Sequence, residues 1–130
     1  MENLYWSNDL ATGVHEIDSQ HKKLFNYLNI LIQAENNQES RHKTVQTTLD
    51  GLIEYTEIHF EEEEIEMEKR GYPDLERHKK LHRDFASQAQ NLKRLFDKGE
   101  DLLPGLISFV QEWLVKHIKQ EDMKALRYKA

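Results

Sequence analysis

Two pairs of metal-ligand residue types flank a single turn in this chain of 130 residues. His59 and Glu63 are four residues apart, as are His78 and His82, and Gly71-Tyr72-Pro73 lies between the pairs. Residues four apart on a helix share one face, about 40° apart around the axis. Two antiparallel helices joined at that turn would aim all four side chains into one space. Imidazole and carboxylate together make a donor set for a transition metal such as iron or manganese.

The chain around this stretch reads as all-α. A helix expected over about 18–37 starts at Asp18, a good N-cap. Its apolar stripe is Ile17, His21, Leu24, Phe25, Leu28, Leu31 and Ile32, at the 3.6-residue period. Asn36-Asn37-Gln38 ends it. A second helix, about 40–69, carries Val45, Leu49, Leu52, Thr56, His59, Phe60, Glu63 and Met67 on one face. Gly51 costs it about 1 kcal/mol against alanine, too little to break it. The acidic run Glu61 to Glu64, with Glu66 and Glu68, reads mostly as a solvated face; only Glu63 follows His59 by four residues, with Glu62 a poorer candidate at three. A third helix, about 73–98, has Leu75, His78, His82, Phe85, Ala89, Leu92 and Phe96 in register. A fourth, about 104–122, carries Leu106, Ile107, Val110, Leu114, His117 and Ile118. Residues 1–17 lack a helical period and are expected to form an extended arm that buries Trp6. The tail from Lys124 to Ala130 is basic and is expected to fray or pack loosely. Short connections favour an up-down-up-down antiparallel four-helix bundle, in one domain over 1–130.

That topology tests the ligand idea independently. The start of the first helix, the end of the second, the start of the third and the end of the fourth share one end of such a bundle. His21, His59, His78, His82 and His117 all fall within roughly 15 Å of that end. Alone, His21 reads as a hydrogen-bonded core histidine, and His15 and His42 have no comparable partners. Five core histidines would not converge by chance. Each buried, unsatisfied polar group costs about 1–3 kcal/mol, and cations would satisfy the whole set. Five nitrogens and two carboxylates exceed one tetrahedral zinc and match two metals.

Composition excludes other classes. There is no cysteine, so thiolate metal sites and disulfides are excluded, and a reducing compartment fits. The net charge of −6 with no basic stripe argues against nucleic acid. No run of 18 apolar residues suggests a membrane span. Met-Glu-Asn-Leu-Tyr-Trp does not look like a signal peptide, so a cytoplasmic location is expected.

The residues His21 within Ile-Asp-Ser-Gln-His-Lys-Lys-Leu-Phe, His59-x3-Glu63, His78-x3-His82 and His117-Ile-Lys-Gln-Glu-Asp122 resemble the hemerythrin family, in particular its stand-alone bacterial members. Trp6 and the Trp113-Leu-Val-Lys lead-in to His117 look similar too. The resemblance spans essentially the whole chain. It implies two non-haem iron ions per chain. His78, His82 and His117 would hold one; His21 and His59 would hold the other, which keeps an open position. Glu63 and Asp122 would bridge them together with an oxo or hydroxo group. Leu24, Phe60, Trp113 and Ile118 match positions that line the family's O2 pocket.

Spacing and resemblance disagree at one point. On an ideal helix Asp122 points about 140° away from His117, and Glu121 only about 40° away. Spacing selects Glu121, whereas the resemblance selects Asp122. Asp122 on the metals therefore predicts a distorted end to the fourth helix, such as a π-bulge.

The function so implied is reversible O2 binding for carriage, storage or local delivery, without enzymatic activity. O2 is the ligand, and an unidentified oxidase or reductase is a candidate partner. The alternatives are an O2 or nitric oxide sensor, an iron-binding protein, and a di-iron oxidase. Ferritin-like oxidase sites use two Glu-x-x-His motifs and more carboxylates. Here no histidine of the cluster follows a Glu by three residues.

Overall fold

A computed structural model describes residues 4–35, 41–99 and 103–128. Four long helices form the body: α1 His15–Glu35, α2 Arg41–Lys69, α3 Leu75–Asp97 and α4 Leu103–His117. A five-residue π-helical turn, Ile118–Asp122, follows α4 and leads into the short α5, Met123–Leu126. The long helices pack in a ring, α1 on α2, α2 on α3, α3 on α4 and α4 on α1. The start of α1 meets the end of α2, where His21 faces Glu63. At the opposite end His42, in the first turn of α2, stacks on Phe96 near the end of α3. The chain is therefore an up-down-up-down four-helix bundle.

The helix ends differ from expectation in instructive ways. Helix α1 opens at His15 rather than Asp18, because Asp18 caps the turn before the helix. Its Oδ1 accepts from the Thr12 amide and the Thr12 hydroxyl, both at 2.8 Å. The expected helix end at Asn36-Asn37-Gln38 and the start at Ser40 lie outside the described residues. Between α2 and α3, Gly71 has φ 66°. Its amide bonds to Glu68 O, and the Tyr72 amide reaches back to Met67 O at 3.1 Å. This is a Schellman stop, which requires the left-handed conformation that glycine adopts without strain. Gly51 has a second purpose: an added Cβ there would meet the Tyr27 ring at 3.1 Å.

The arm is extended only in part. Asn8–Leu10 form a 3-10 turn, and Leu4 is held by a reciprocal pair of bonds with Asn29 at 2.6 and 2.8 Å. Trp6 is half-buried rather than buried. The tail is the clearest correction, because Ala125 and Leu126 are buried in α5 rather than frayed or loosely packed. They pack with Ile17, Met67 and Tyr72 in a small apolar cluster. The main core runs through Leu24, Leu28, Leu31, Leu49, Phe60, Phe85, Leu106, Leu114 and Ile118. The ligand-type residues lie where the main core gives way to the smaller cluster.

Candidate metal centre

His21 comes from α1, His59 and Glu63 from α2, His78 and His82 from α3, His117 from the last residue of α4, and Asp122 from the last residue of the π turn. All seven are buried, none more than 5 % exposed. They fall into two groups that share both carboxylates. Glu63, His78, His82, His117 and Asp122 form one, and His21, His59, Glu63 and Asp122 form the other.

The two oxygens of each carboxylate divide between the groups. Glu63 Oε1 lies 3.2 Å from His78 Nε2 and 3.1 Å from His82 Nε2. Glu63 Oε2 lies 3.3 Å from His21 Nε2 and 3.1 Å from His59 Nε2. Asp122 Oδ1 is 3.0 Å from Nε2 of both His78 and His117. Asp122 Oδ2 faces His21 Nε2 at 3.2 Å. One side thus collects three nitrogens and two oxygens, and the other two nitrogens and two oxygens.

The spacing fits metal ligation better than hydrogen bonding. His117 Nε2 stands 3.1 Å from Nε2 of both His78 and His82. In neutral imidazoles whose protons sit on Nδ1, these are lone pairs aimed at one another. At a metal–nitrogen distance of about 2.1 Å, donors 90° apart on an octahedron stand about 3.0 Å from each other. Asp122 Oδ1, His21 Nδ1 and His78 Nδ1 are buried without a hydrogen-bond partner. Five donors on one side and four on the other leave the second position the more open of the two.

The electrostatics point the same way. Burial alone would lower the pKa of His21 and His78, but the close, negatively charged carboxylates of Asp122 and Glu63 outweigh it and raise each to about 9. His82 is also raised, against burial, by Glu63 and Glu64. Burial pushes Glu63 and Asp122 up, but the surrounding imidazoles hold both below the ordinary carboxylate range. Two buried anions thus demand positive charge, and protons supply it when no metal does.

The π turn decides which acid enters. A π turn inserts one extra residue relative to an α-helical turn. Asp122 consequently faces inward and is 1 % exposed. Glu121 turns outward and pairs with Arg77. The same rotation carries Ala125 and Leu126 into the small apolar cluster.

Of the four pocket-lining candidates, Phe60 and Trp113 touch the ligand histidines, chiefly on the three-histidine side. Phe60 stacks on His82 with ring centroids 3.8 Å apart. Trp113 stacks on His117 at 4.2 Å. Leu24 and Ile118 are buried in the adjoining core. Trp6 lies 6.4 Å from the His21 ring, on the other side. Glu64 and Gln20, which the sequence did not single out, also reach the site, as does Glu62, the poorer candidate three residues after His59. Glu64 accepts from His82 Nδ1 at 2.7 Å. Gln20 accepts from His59 Nδ1 at 2.5 Å and donates to Glu62. Their partners sit on neighbouring helices, so spacing within one helix carries no trace of them.

A four-helix bundle that gathers five histidines around two shared carboxylates defines a class: helical-bundle proteins with a buried His/Glu/Asp cluster of metal-ligand types. The chain matches the model of the hemerythrin HHE cation binding domain over residues 12–128. It is 35 % identical over 122 residues to a bacteriohemerythrin of Pseudomonas paraeruginosa, covering 94 % of this chain and 78 % of that one. A bacteriohemerythrin of Methylococcus capsulatus is 34 % identical over 115 residues, 88 % of this chain and 86 % of its own. A crystal structure of wild-type hemerythrin superimposes with a TM-score of 0.86 at 31 % identity, over 94 % of each chain. This chain belongs to the hemerythrin family.

Proposed function

We propose that this chain binds O2 reversibly at a non-haem di-iron centre, as a carrier, store or local source of O2 rather than as an enzyme. His78, His82 and His117 would hold one iron, His21 and His59 the other, with Glu63 and Asp122 shared. The observation that carries this reading is the division of the Glu63 and Asp122 oxygens between a three-nitrogen and a two-nitrogen set. When bound, the two irons would supply the electrons for taking up O2, and the four-donor set is the more open of the two.

The protein's part is to keep that exchange clean. The layers above and below the site are apolar and close-packed. Leu24, Phe60, Trp113 and Ile118 exclude water, which would otherwise bring protons and promote irreversible oxidation. Phe60 and Trp113 do this from the three-histidine side, where they cover His82 and His117. Nitrogen-rich ligation with only two carboxylates favours binding over oxidation of a substrate. Among the described residues no helix is long and apolar enough to cross a membrane. The absence of cysteine supports a reducing compartment such as the cytoplasm.

The test is to add O2 to the reduced, iron-loaded protein and follow its visible spectrum. A charge-transfer absorption that appears with O2 and vanishes on deoxygenation supports the reading. Single-pass, irreversible oxidation, or turnover of an added reductant, would replace it with an oxidase. One zinc per chain on metal analysis would remove both.

A further inference from the structure

We propose that Glu64 and Gln20 are positioning residues that make the two metal positions unequal, by setting a carboxylate behind the three-histidine set and a neutral amide behind the two-histidine set. This rests on the dinuclear reading above and concerns what lies behind the ligands.

His82 presents Nε2 to the cluster, 3.1 Å from Glu63 Oε1 and from His117 Nε2. Its other nitrogen, Nδ1, therefore carries the proton and donates it to Glu64 Oε2 at 2.7 Å. That is a charge-assisted bond, shorter and stronger than a neutral one. His59 presents Nε2 to Glu63 Oε2 at 3.1 Å, and its Nδ1 donates to Gln20 Oε1 at 2.5 Å. The orientation of the Gln20 amide follows from its second bond, since its Nε2 donates to the Glu62 carboxylate. An amide oxygen must then face His59. The acidic run that reads as a solvated face thus sends three consecutive residues to one centre. Glu63 enters it, Glu64 backs one histidine directly, and Glu62 backs another only through Gln20.

The consequence is chemical. A full negative charge on Nδ1–H pushes electron density through the ring and strengthens Nε2 as a donor. A neutral amide fixes the ring with much less of that effect. The three-histidine position already has five protein donors against four. Donor number and outer charge therefore grade the two positions in the same direction. The five-donor position is the tighter one. The four-donor position is held more weakly and stays the more adaptable.

The experiment is titration of the metal-free protein with Co(II) under nitrogen, read by calorimetry and by the visible Co(II) spectrum. The wild-type protein is expected to bind two ions in two resolved steps. Glu64→Gln keeps an acceptor for Nδ1 but removes the charge. It is expected to weaken the tighter step by about 10–100-fold and leave the weaker step nearly unchanged. Gln20→Glu should tighten the weaker step and bring the two together. If Glu64→Gln matches wild type while Glu64→Ala weakens binding, Glu64 only orients the ring and the charge asymmetry is overturned. Equal weakening of both steps by Glu64→Gln overturns it as well. Thermal unfolding of each metal-free variant identifies any loss caused by misfolding, and Gln20→Glu then decides alone. A wild-type protein that binds one ion or none refutes the dinuclear reading itself, whatever the variants do.

Discussion

Arg77 grips Glu121 with two parallel hydrogen bonds, at 2.7 Å and 3.0 Å. The pair fastens the residue before His78 to the residue before Asp122. It marks Glu121 as an outward residue, although Glu121 follows His117 by the four residues that normally bring two side chains together. Arg77 is about half exposed, so water screens the pair and it adds little to stability. The first prediction is about the neighbouring acids. Glu121→Gln should retain two metals per chain and lose little stability. Asp122→Asn removes a charge shared by both groups and should lose at least one metal. Metal content after desalting decides it; the reverse pattern would place Glu121 on the metals.

The metal-free and metal-loaded proteins should respond to pH in opposite directions. His21 and His78 are raised to about 9 in the folded, metal-free chain, against about 6.5 unfolded. Their stabilisation is complete below about pH 6.5 and is lost as pH rises through about 9. Glu63 and Asp122 are depressed, so their contribution is present above about pH 4 and fades as pH falls. Without metal, thermal stability should therefore peak between about pH 5 and 6.5 and decline toward pH 9. Metal ions replace those protons, so binding at pH 7 should release about two of them and strengthen as pH rises. Melting curves from pH 5 to 9, with chelator and with Co(II), should slope oppositely above pH 6.5. Parallel slopes would mean that protons and metals do not compete for these histidines.

Leu126 tests whether the tail is structural. Its side chain is 2 % exposed, against Ile17, Met67 and Tyr72. Leu126→Ala should cost about 2–5 kcal/mol, the usual range for a buried leucine. It should also speed metal loss to a chelator, because this layer closes the bundle just beyond Asp122. Urea unfolding of the metal-free protein measures the first effect. A loss below about 0.5 kcal/mol, as for an ordinary surface position, would mean the tail frays in solution.

How legible was this centre in the sequence? His59 with Glu63, and His78 with His82, are visible because each pair obeys the helical period. His21 has no such partner and the one offered to His117, Glu121, turns outward, so only bundle topology brings these two histidines in. Asp122 defies the period because the helix itself changes at Ile118, and no spacing rule that assumes an α-helix can find it. The roles of Glu62 and Glu64 were hidden in plain composition, since four consecutive glutamates look like solvent-facing charge. Their partners, Gln20 and His82, belong to other helices. Leu126 was masked by the basic residues around it, and its burial depends on the extra residue in the π turn. What the sequence conceals here are contacts between elements and a departure from regular helix geometry.

Trp113 gives the last prediction. Its ring lies flat over His117 and also stacks on Phe85 at 4.1 Å. It also lines an open cleft of about 310 Å³ together with Arg77, Leu81, Lys116 and Gln120. His117 borders the same cleft, and the indole covers one face of its ring on the three-histidine side. Trp113→Phe keeps an apolar aromatic there, whereas Trp113→Ala opens that face to water. In the iron-loaded, oxygenated protein, Trp113→Ala should raise the rate of irreversible oxidation by about tenfold, a barrier change near 1.4 kcal/mol. Trp113→Phe should stay close to wild type. The decay of the O2-dependent absorption at fixed pH measures both rates. Equal decay in all three proteins would show that water reaches the centre by another route. The four-donor side, where Trp6 sits 6.4 Å from His21, would then be the place to look.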